Sequence, residues 1–333
     1  MAMRRWNVMV TGGAGYVGSV LVPKLLAEGH GVTVLDLYIY GRDIFADLRR
    51  NPGFREVRGD LRDAKAVEDA LHGCDAVIHL ACISNDPSFD LDPELGKSIN
   101  YDCFRPLVQA AKRAGVERFV YASSSSVYGV KDVPNVTEDE PLVPITDYAK
   151  YKAMCEDVLK EEYAPGFTAL TVRPATVCGY APRLRLDLTV NILTSHAYNK
   201  HLITVFGGEQ KRPNLHIEDM AELYLESLRQ PAEKIDRNVF NVGFENHKVI
   251  EIADMVRRVV GPDVEVRVTP SDDHRSYHIS SEKIRRELGF VPKHSIGHAA
   301  EGLARAFRDG KIPGWDTDPR YVNIKMMKQI DLR

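Results

Sequence analysis

The fold of this 333-residue chain is decided by WNVMVTGGAGYVGSVLVPKLLAEGHGVTVLD, residues 6–36. The stretch runs from an apolar strand pattern through a glycine-rich loop into a helical pattern, and it ends in a second strand pattern. Gly12, Gly15 and Gly18 follow the spacing G-x-x-G-x-x-G, which allows a tight turn, close approach of a diphosphate and packing of the helix on the strand. Free N–H groups at the helix N-terminus then bind that diphosphate. The stretch therefore predicts a dinucleotide-binding unit, and its loop contacts are assigned to Gly12, Gly15, Tyr16 and Val17.

The end of the second strand selects the dinucleotide. Asp36 stands eighteen positions after Gly18 and ends VTVLD. A carboxylate at this place accepts hydrogen bonds from the adenosine ribose hydroxyls and repels a 2′-phosphate, and the following Leu37 and Tyr38 supply no arginine. The pattern predicts NAD rather than NADP as the cofactor, although an aspartate that only caps a turn would have the same sequence signature. The other predicted cofactor contacts follow the third and fourth strands and are Asp60, Leu61, Leu80 and Ala81.

Strand and helix patterns alternate through the first half of the chain. Apolar runs such as DAVIHLA and FTALTVRP are separated by helical patterns, among them those near 93–114 and 147–162, and a further helix is expected after VTVLD. Such runs indicate a parallel sheet covered on both faces. We therefore predict an α/β fold, with a Rossmann doubly wound parallel sheet over residues 1–173 and a smaller α/β substrate domain over residues 174–333. Segments near 215–245 could return to the first domain.

The composition is that of a globular protein. Charged residues make up 27% and hydrophobic residues 44% of the chain, and the formal net charge of −3 gives no basic field that would favour nucleic acid or an anionic membrane. No apolar run reaches the length of a transmembrane span, and the N-terminal MAMRRWNVMV is interpreted as the first strand rather than a signal peptide. The five cysteines are scattered without a C-x-x-C pair, which favours a reduced, cytoplasmic protein without a metal site.

Two motifs carry reactive side chains. YASSSSVYG, residues 121–129, follows the fifth strand, and ligands of open α/β sheets bind at the carboxyl ends of the strands. TDYAKYKAM, residues 146–154, carries Tyr148 and Lys152 four positions apart, so a helix presents both on one face, whereas Tyr151 points elsewhere. An ammonium near a tyrosine favours the phenolate and lowers the pKa of the phenol from its ordinary value of ~10. The pair is therefore suited to proton transfer, with a solvated helix surface as the alternative.

Taken together, TGGAGYVG, SSSSVYG and YAKYK resemble the extended short-chain dehydrogenase/reductase family, in its nucleotide-sugar epimerase and dehydratase branch and close to UDP-glucose 4-epimerase-like enzymes. The resemblance covers nearly the whole chain. It implies that Tyr148 is the catalytic base, that Lys152 lowers the pKa of that tyrosine and binds the nicotinamide ribose, and that Ser124 hydrogen-bonds the reacting hydroxyl. It also implies a homodimer, in which the helices near 93–114 and 147–162 of two subunits pack into a four-helix bundle.

The positions after Ser124 separate the reactions of this branch. Its 4,6-dehydratases carry an Asp-Glu pair there as the acid and base for removing water, whereas this chain has Ser125 and Ser126. A hydroxyl without an activating partner is a poor acid or base for that step. The resemblance therefore implies a nucleotide-sugar epimerase that acts at C4 through a transient 4-keto intermediate and keeps its NAD bound. An NAD-dependent nucleotide-sugar dehydrogenase or ketoreductase, and a non-catalytic NAD-binding regulator, remain the alternatives.

The substrate implied by the resemblance is a nucleotide-diphosphate sugar. The residues implied to bind it are Ser84, Asn85, Ser124, Ser125, Ser126, Tyr148, Thr176, Asn191, Arg212 and Arg275. Arginines suit a diphosphate because their planar guanidinium groups bind phosphate oxygens in pairs, and Arg183 and Arg185 are further candidates for this role. The chain departs from the family pattern after Arg212, where Pro213 and Asn214 replace an aspartate and an aromatic residue.

Overall fold

The structure is a computed structural model that describes residues 4–271, 276–330 and 332. Its strands are β1 (Asn7–Thr11), β2 (Gly31–Asp36), β3 (Phe54–Arg58), β4 (Ala76–His79), β5 (Arg118–Ala122), β6 (Thr168–Pro174), β7 (Thr176–Cys178), β8 (Leu202–Phe206), β9 (Lys211–His216), β10 (Asn238–Val242), β11 (Glu245–Lys248) and β12 (Glu265–Thr269). Its α-helices are α1 (Gly18–Ala27), α2 (Ala64–Leu71), α3 (Asp86–Phe89), α4 (Pro93–Lys97), α5 (Phe104–Arg113), α6 (Asp147–Glu161), α7 (Thr189–Lys200), α8 (Ile217–Arg229), α9 (Ala232–Ile235), α10 (Val249–Val260), α11 (Glu282–Leu288), α12 (Ile296–Arg308) and α13 (Asn323–Met327). None of these described helices is long and apolar enough to cross a membrane.

Seven strands form one parallel sheet in the order β10-β6-β5-β4-β1-β2-β3. Parallel neighbours need crossover connections, and the helices that make these connections cover both faces of the sheet. The strand order reverses between β1 and β4, which pair with each other. Open α/β sheets bind their ligands in the crevice that such a reversal leaves at the carboxyl ends of the strands. The predicted doubly wound α/β fold is confirmed.

Alternate side chains of the central strands enter two separate cores. Val8 and Val10 of β1 belong to the core that includes residues of α1 and α8, whereas Met9 belongs to the core that includes residues of α2, α5 and α6. All three side chains are fully buried. A strand that is buried on both faces needs an apolar residue at every position, which explains the continuous apolar runs of the sequence.

The second half of the chain builds a smaller core and also returns to the large sheet. Helices α7, α10 and α12 pack on one another, with Val205, Ile252 and Ala299 in the core between them. A three-stranded sheet of order β11-β9-β7 and a two-stranded sheet of β12 and β8 accompany these helices. β10 pairs with β6 at the edge of the large sheet, and α8 packs against α1. A boundary between two domains at residues 173 and 174 stays a prediction.

The helix predicted near 93–114 is interrupted by a π-helical turn, Ser98–Asp102, between α4 and α5. The turn contains Asn100, whose buried side chain accepts a hydrogen bond from the backbone N–H of Ile83 at 2.8 Å and donates to the Ile83 carbonyl at 3.0 Å. One side chain thus satisfies both backbone groups of a residue in the segment after β4. The π-helical turn thus holds the segment after β4 in place through Asn100, and this segment lies beside the sheet crevice.

The segment after β2, residues 37–53, contains no α-helix, so the expected helix is wrong. It carries only the short 3₁₀ turn Ala46–Leu48. Tyr38 and Gly41 have positive φ angles of 55° and 140°, which a right-handed helix does not accommodate. Phe45 is buried in the core and anchors the segment through its side chain instead.

Candidate active site

A cavity of about 590 Å³ opens where β1 and β4 end. The predicted site residues that line it are Gly12, Gly15, Tyr16, Val17, Asp36, Asp60, Leu61, Leu80, Ala81, Ser84, Asn85, Ser124, Ser125, Ser126, Tyr148, Lys152, Thr176 and Arg212. They come from both halves of the chain. The fold therefore gathers most of the predicted cofactor and substrate residues at one place, while the role of each residue stays a prediction.

One predicted substrate residue, Asn191, does not line this cavity. Asn191 is fully buried in α7, where its amide donates to the carbonyl of Arg185 at 2.8 Å and to the hydroxyl of Tyr16 at 3.0 Å. Its oxygen accepts the N–H of Gly179 at 2.9 Å. The polar groups of Asn191 are thus engaged within the protein, and its assignment to the substrate diphosphate stays a prediction. Arg275 lies outside the described residues.

The glycine loop fits the diphosphate of a dinucleotide. Gly12 has a φ of +67°, and a Cβ atom on it would lie 2.6 Å from the Cα of Ala81, so a larger residue does not fit. The backbone N–H groups of Tyr16 and Val17, just before α1, donate to no other group in the described part of the chain. Unpaired N–H groups at a helix N-terminus are the donors that bind phosphate. The loop therefore suits the cofactor predicted from the sequence.

Asp36 lies at the end of β2 on the cavity wall. Its carboxylate accepts the N–H of Ala14 at 3.0 Å and the N–H of Tyr38 at 2.7 Å. Burial raises the pKa of Asp36, and these backbone hydrogen bonds oppose that shift. Because each carboxylate oxygen has two lone pairs, the group keeps acceptor capacity for ribose hydroxyls.

Asp60 and Leu61 reach the same wall after β3. Asp60 forms an ion pair with Arg62 at 2.7 Å. Burial alone would raise the pKa of Asp60, but hydrogen bonds from Arg62 hold it below its usual range. The carboxylate is therefore ionised at neutral pH and held in one orientation by its neighbour.

Tyr148 and Lys152 lie one turn apart on α6, as their spacing predicts. The helix begins just after Thr146, whose hydroxyl accepts the N–H of Ala149 at 3.3 Å and caps the N-terminus. The Nζ of Lys152 donates to the carbonyl of Ala122, at the end of β5, over 2.6 Å. The same nitrogen lies 6.0 Å from the ring centroid of Tyr148. The ammonium is thus anchored to the sheet rather than to the phenol.

The surroundings of Tyr148 favour its neutral phenol. Burial has the largest influence and raises the pKa of Tyr148, while the charge of Arg185 and a hydrogen bond with Ser124 act in the opposite direction. The expectation that Lys152 lowers the pKa of Tyr148 stays a prediction. The Ser124 hydroxyl is itself held, since it shares a hydrogen bond of 2.8 Å with the hydroxyl of Ser126.

A buried ion pair behind this site was missed by sequence reasoning. Glu156 of α6 and Arg173 of β6 are joined at 2.6 Å, and their side chains are 0% and 4% exposed. Glu156 also accepts the Ser123 hydroxyl at 2.5 Å, and Arg173 donates to the Tyr128 hydroxyl at 2.6 Å. These bonds tie α6 and β6 to the serine segment after β5. The sequence does contain a signal for Glu156: it stands four positions after Lys152, so a helix presents both side chains on the face that points toward the site.

Ser84 and Asn85 form hydrogen bonds with a second polar cluster, which consists of Arg185, Asp187 and Asn323. The Nη1 of Arg185 donates to the Ser84 hydroxyl at 3.0 Å, and the Asn85 amide donates to the carboxylate of Asp187 at 3.2 Å. Arg185 and Asp187 form an ion pair at 2.9 Å. Asn323, the first residue of α13, donates to the Ser84 hydroxyl at 3.0 Å. Sequence reasoning missed Asp187 and Asn323, and no motif marks either residue.

Thr176 and Arg212 enter the cavity from the three-stranded sheet. Thr176 lies on β7 and Arg212 on β9, two strands that pair in parallel. The guanidinium carbon of Arg212 lies 5.7 Å from the ring centroid of Tyr277, which also lines the cavity. This sheet therefore contributes the part of the wall that comes from the second half of the chain.

Comparison with known proteins identifies the family. The model of the NAD dependent epimerase/dehydratase family matches residues 8–243. The UDP-glucose 4-epimerase of Lactobacillus helveticus is 31% identical over 311 residues, which span 86% of this chain and 92% of that protein. The dTDP-glucose 4,6-dehydratase of Streptomyces griseus is 31% identical over 313 residues, which span 90% of this chain and 92% of that protein.

A solved structure agrees with both relatives. The crystal structure of DesIV, a dTDP-glucose 4,6-dehydratase from Streptomyces venezuelae with NAD bound, matches with a TM-score of 0.82 at 26% identity and covers 92% of this chain and 98% of its own. The family resemblance and the NAD cofactor predicted from the sequence are confirmed. The chain belongs to the NAD dependent epimerase/dehydratase family and is an NAD-dependent enzyme of nucleotide sugars.

Proposed function

We propose that this enzyme is an NAD-dependent nucleotide-sugar epimerase that acts at C4. The observation that carries the proposal is the pairing of Tyr148 with Ser124 in a cavity where Ser125 and Ser126 stand in place of carboxylates. A tyrosine and a serine suffice to move a proton on and off one sugar hydroxyl, whereas loss of water needs an acid and a base. An epimerase and a dehydratase are equally similar relatives, so overall identity does not choose between the reactions. The side chains at positions 125 and 126 favour the epimerase.

In the proposed reaction the phenolate form of Tyr148 accepts the proton of the C4 hydroxyl and, as the phenol, later returns it. NAD, when bound, supplies the hydride acceptor and a positive charge at the nicotinamide ring. Because burial favours the neutral phenol, the groups that stabilise the phenolate, Ser124 and Arg185, assist the formation of the base. Lys152 keeps two of its three N–H donors after its bond to Ala122, and these suit the ribose hydroxyls of the nicotinamide half.

Epimerisation also requires that the oxidised sugar turn its other face toward the cofactor. The predicted sugar contacts in the cavity are mostly small hydroxyl side chains: Ser84, Ser124, Ser126 and Thr176. Small side chains leave room for the ring to turn, and their hydroxyls offer hydrogen bonds in either orientation. A simple dehydrogenase or ketoreductase needs no such turn, and this observation therefore favours the epimerase.

We expect the purified enzyme to convert UDP-glucose to UDP-galactose without added NAD. In deuterium oxide the product should carry no deuterium on carbon, because the proposed hydride leaves and returns without exchange with solvent. Proton NMR of the reaction mixture measures both results. Loss of water with deuterium entering the sugar would indicate a dehydratase, and a stoichiometric build-up of NADH would indicate a dehydrogenase. Either result would overturn the proposal.

We also propose that the enzyme is a homodimer joined through α5 and α6. These helices pack against each other, and Met154 on α6 is 40% exposed. An exposed methionine on a helix suits burial against a second copy, because its flexible side chain adapts to the partner surface. Sedimentation velocity is expected to give twice the mass of one chain, and Met154→Glu is expected to shift the distribution toward the monomer. A monomeric unmodified protein would contradict this proposal.

A further inference from the structure

Arg183 is a buried cation with unused hydrogen-bond donors in the cavity. Its side chain lines the cavity but is only 5% exposed. The Nη2 atom donates to the Oδ1 atom of Asn323 at 2.5 Å, whereas Nε and Nη1 have no hydrogen-bond partner. No carboxylate of residues 4–271, 276–330 or 332 forms an ion pair with it. Because a buried guanidinium with unpaired donors is unfavourable, the arrangement implies an anion from outside the chain.

The position of Arg183 shows which part of the cavity this anion would occupy. Its backbone N–H donates to the hydroxyl of Ser19, in the first turn of α1, at 3.3 Å. Its guanidinium carbon lies 3.5 Å from the ring centroid of Tyr40, and its charge acts on Asp36 at the end of β2. The backbone of Arg183 therefore lies beside the first turn of α1, which follows the glycine loop, and its guanidinium faces Tyr40 and interacts with the charge at the end of β2.

The charge of Arg183 persists at neutral pH. Burial lowers its pKa to about 10, which is still well above neutral. The neighbouring carboxylate of Asp187 is engaged by Arg185, by the Asn85 amide and by the backbone N–H of Asn323. The positive charge of Arg183 is thus left for a ligand.

We propose that Arg183 binds the diphosphate of NAD, opposite the amides of the glycine loop, and that Asn323 is the positioning residue that holds its guanidinium. The backbone N–H groups of the glycine loop, in the first half of the chain, and the guanidinium of Arg183, in the second half, would then both bind the cofactor diphosphate. A nucleotide sugar carries the same chemical group, so the test must distinguish the two diphosphates. The inference concerns cofactor binding and does not depend on epimerisation at C4.

The test compares Arg183→Gln and Arg183→Lys with the unmodified enzyme. We expect Arg183→Gln to retain less NAD through purification and to bind added NAD roughly 10- to 100-fold more weakly, the range for loss of hydrogen bonds to a charged group. Arg183→Lys keeps the positive charge but lacks the planar guanidinium group, so its affinity for NAD should lie between those of Arg183→Gln and the unmodified enzyme. The melting temperature Tm without NAD should stay equal or rise, because an unpaired buried charge is removed, while the increase in Tm on adding NAD should shrink.

Binding of UDP to the NAD-saturated variants identifies the diphosphate. An unchanged affinity for UDP, together with weakened NAD binding, is the expected result. Weakened UDP binding with unchanged NAD binding would overturn the proposal in favour of the substrate diphosphate. Unchanged binding of both probes would overturn it as well. If Arg183→Gln lowered Tm equally with and without NAD, the role of Arg183 would be structural and the proposal would be wrong. If Arg183→Lys bound NAD no more tightly than Arg183→Gln, the positive charge would not contribute to NAD binding, which would also contradict the proposal.

Discussion

Replacement of Tyr148 by phenylalanine is expected to lower kcat by roughly 10²- to 10⁴-fold and to leave NAD binding nearly unchanged. In the proposed reaction the phenol oxygen is the only atom lost with this change that receives the proton of the substrate hydroxyl. Phenylalanine keeps the partly buried ring in its place beside Ser124, so the cavity wall is preserved. Initial rates of UDP-glucose conversion measure the loss, and the nucleotide released on denaturation measures the retained NAD.

Helix α6 offers a matched control in Tyr151. Its ring stacks on Tyr101 with the centroids 5.5 Å apart and packs near Phe89 at 5.7 Å, and it does not line the cavity. Tyr151→Phe removes the same hydroxyl from the same helix and should keep near-normal turnover. Near-normal turnover of Tyr148→Phe, or an equal loss in both variants, would contradict the assignment of Tyr148 as the base.

The large sheet could be predicted from the sequence because its strands are buried on both faces. Burial of this kind demands short continuous apolar runs such as DAVIHLA, and their short length and their alternation with helical patterns favour strands over buried helices. The residue at which α1 begins does not follow from the pattern: the N–H of Gly15 closes a turn on the carbonyl of Gly12 at 3.0 Å, and the helix begins only at Gly18. The π-helical turn contains the contact of Asn100 with Ile83, and no local sequence pattern predicts a contact between these two residues.

The reactive side chains were also predictable, because their spacing along one helix places them on one face. Their environment was not. The bond from Lys152 to the Ala122 carbonyl and the burial that raises the pKa of Tyr148 arise from tertiary packing. Asn191 shows the same limit, since an asparagine that faces a ligand and one that braces buried backbone look alike in a sequence. Arg183 and Asn323 come together only in the folded chain.

Breaking the buried ion pair between Glu156 and Arg173 is expected to destabilise the fold by roughly 3–5 kcal/mol. Glu156→Gln removes the negative charge at nearly constant volume and leaves the guanidinium of Arg173, 4% exposed, in the interior without its counter-charge. The hydroxyl of Ser123 loses its charged acceptor in the same step. Denaturant unfolding measures the change as a lower midpoint at unchanged slope.

The next residue of α6 provides the control for this prediction. Asp157 pairs with Lys160 at 3.0 Å, but their side chains are 67% and 49% exposed, so Asp157→Asn should change stability by less than about 1 kcal/mol. A double variant, Glu156→Met with Arg173→Met, should be more stable than Glu156→Gln, because two buried apolar side chains cost less than one unpaired buried charge. Equal losses in Glu156→Gln and Asp157→Asn, or a double variant less stable than the single one, would contradict the electrostatic account and would mean that Glu156 acts through its shape and hydrogen bonds alone.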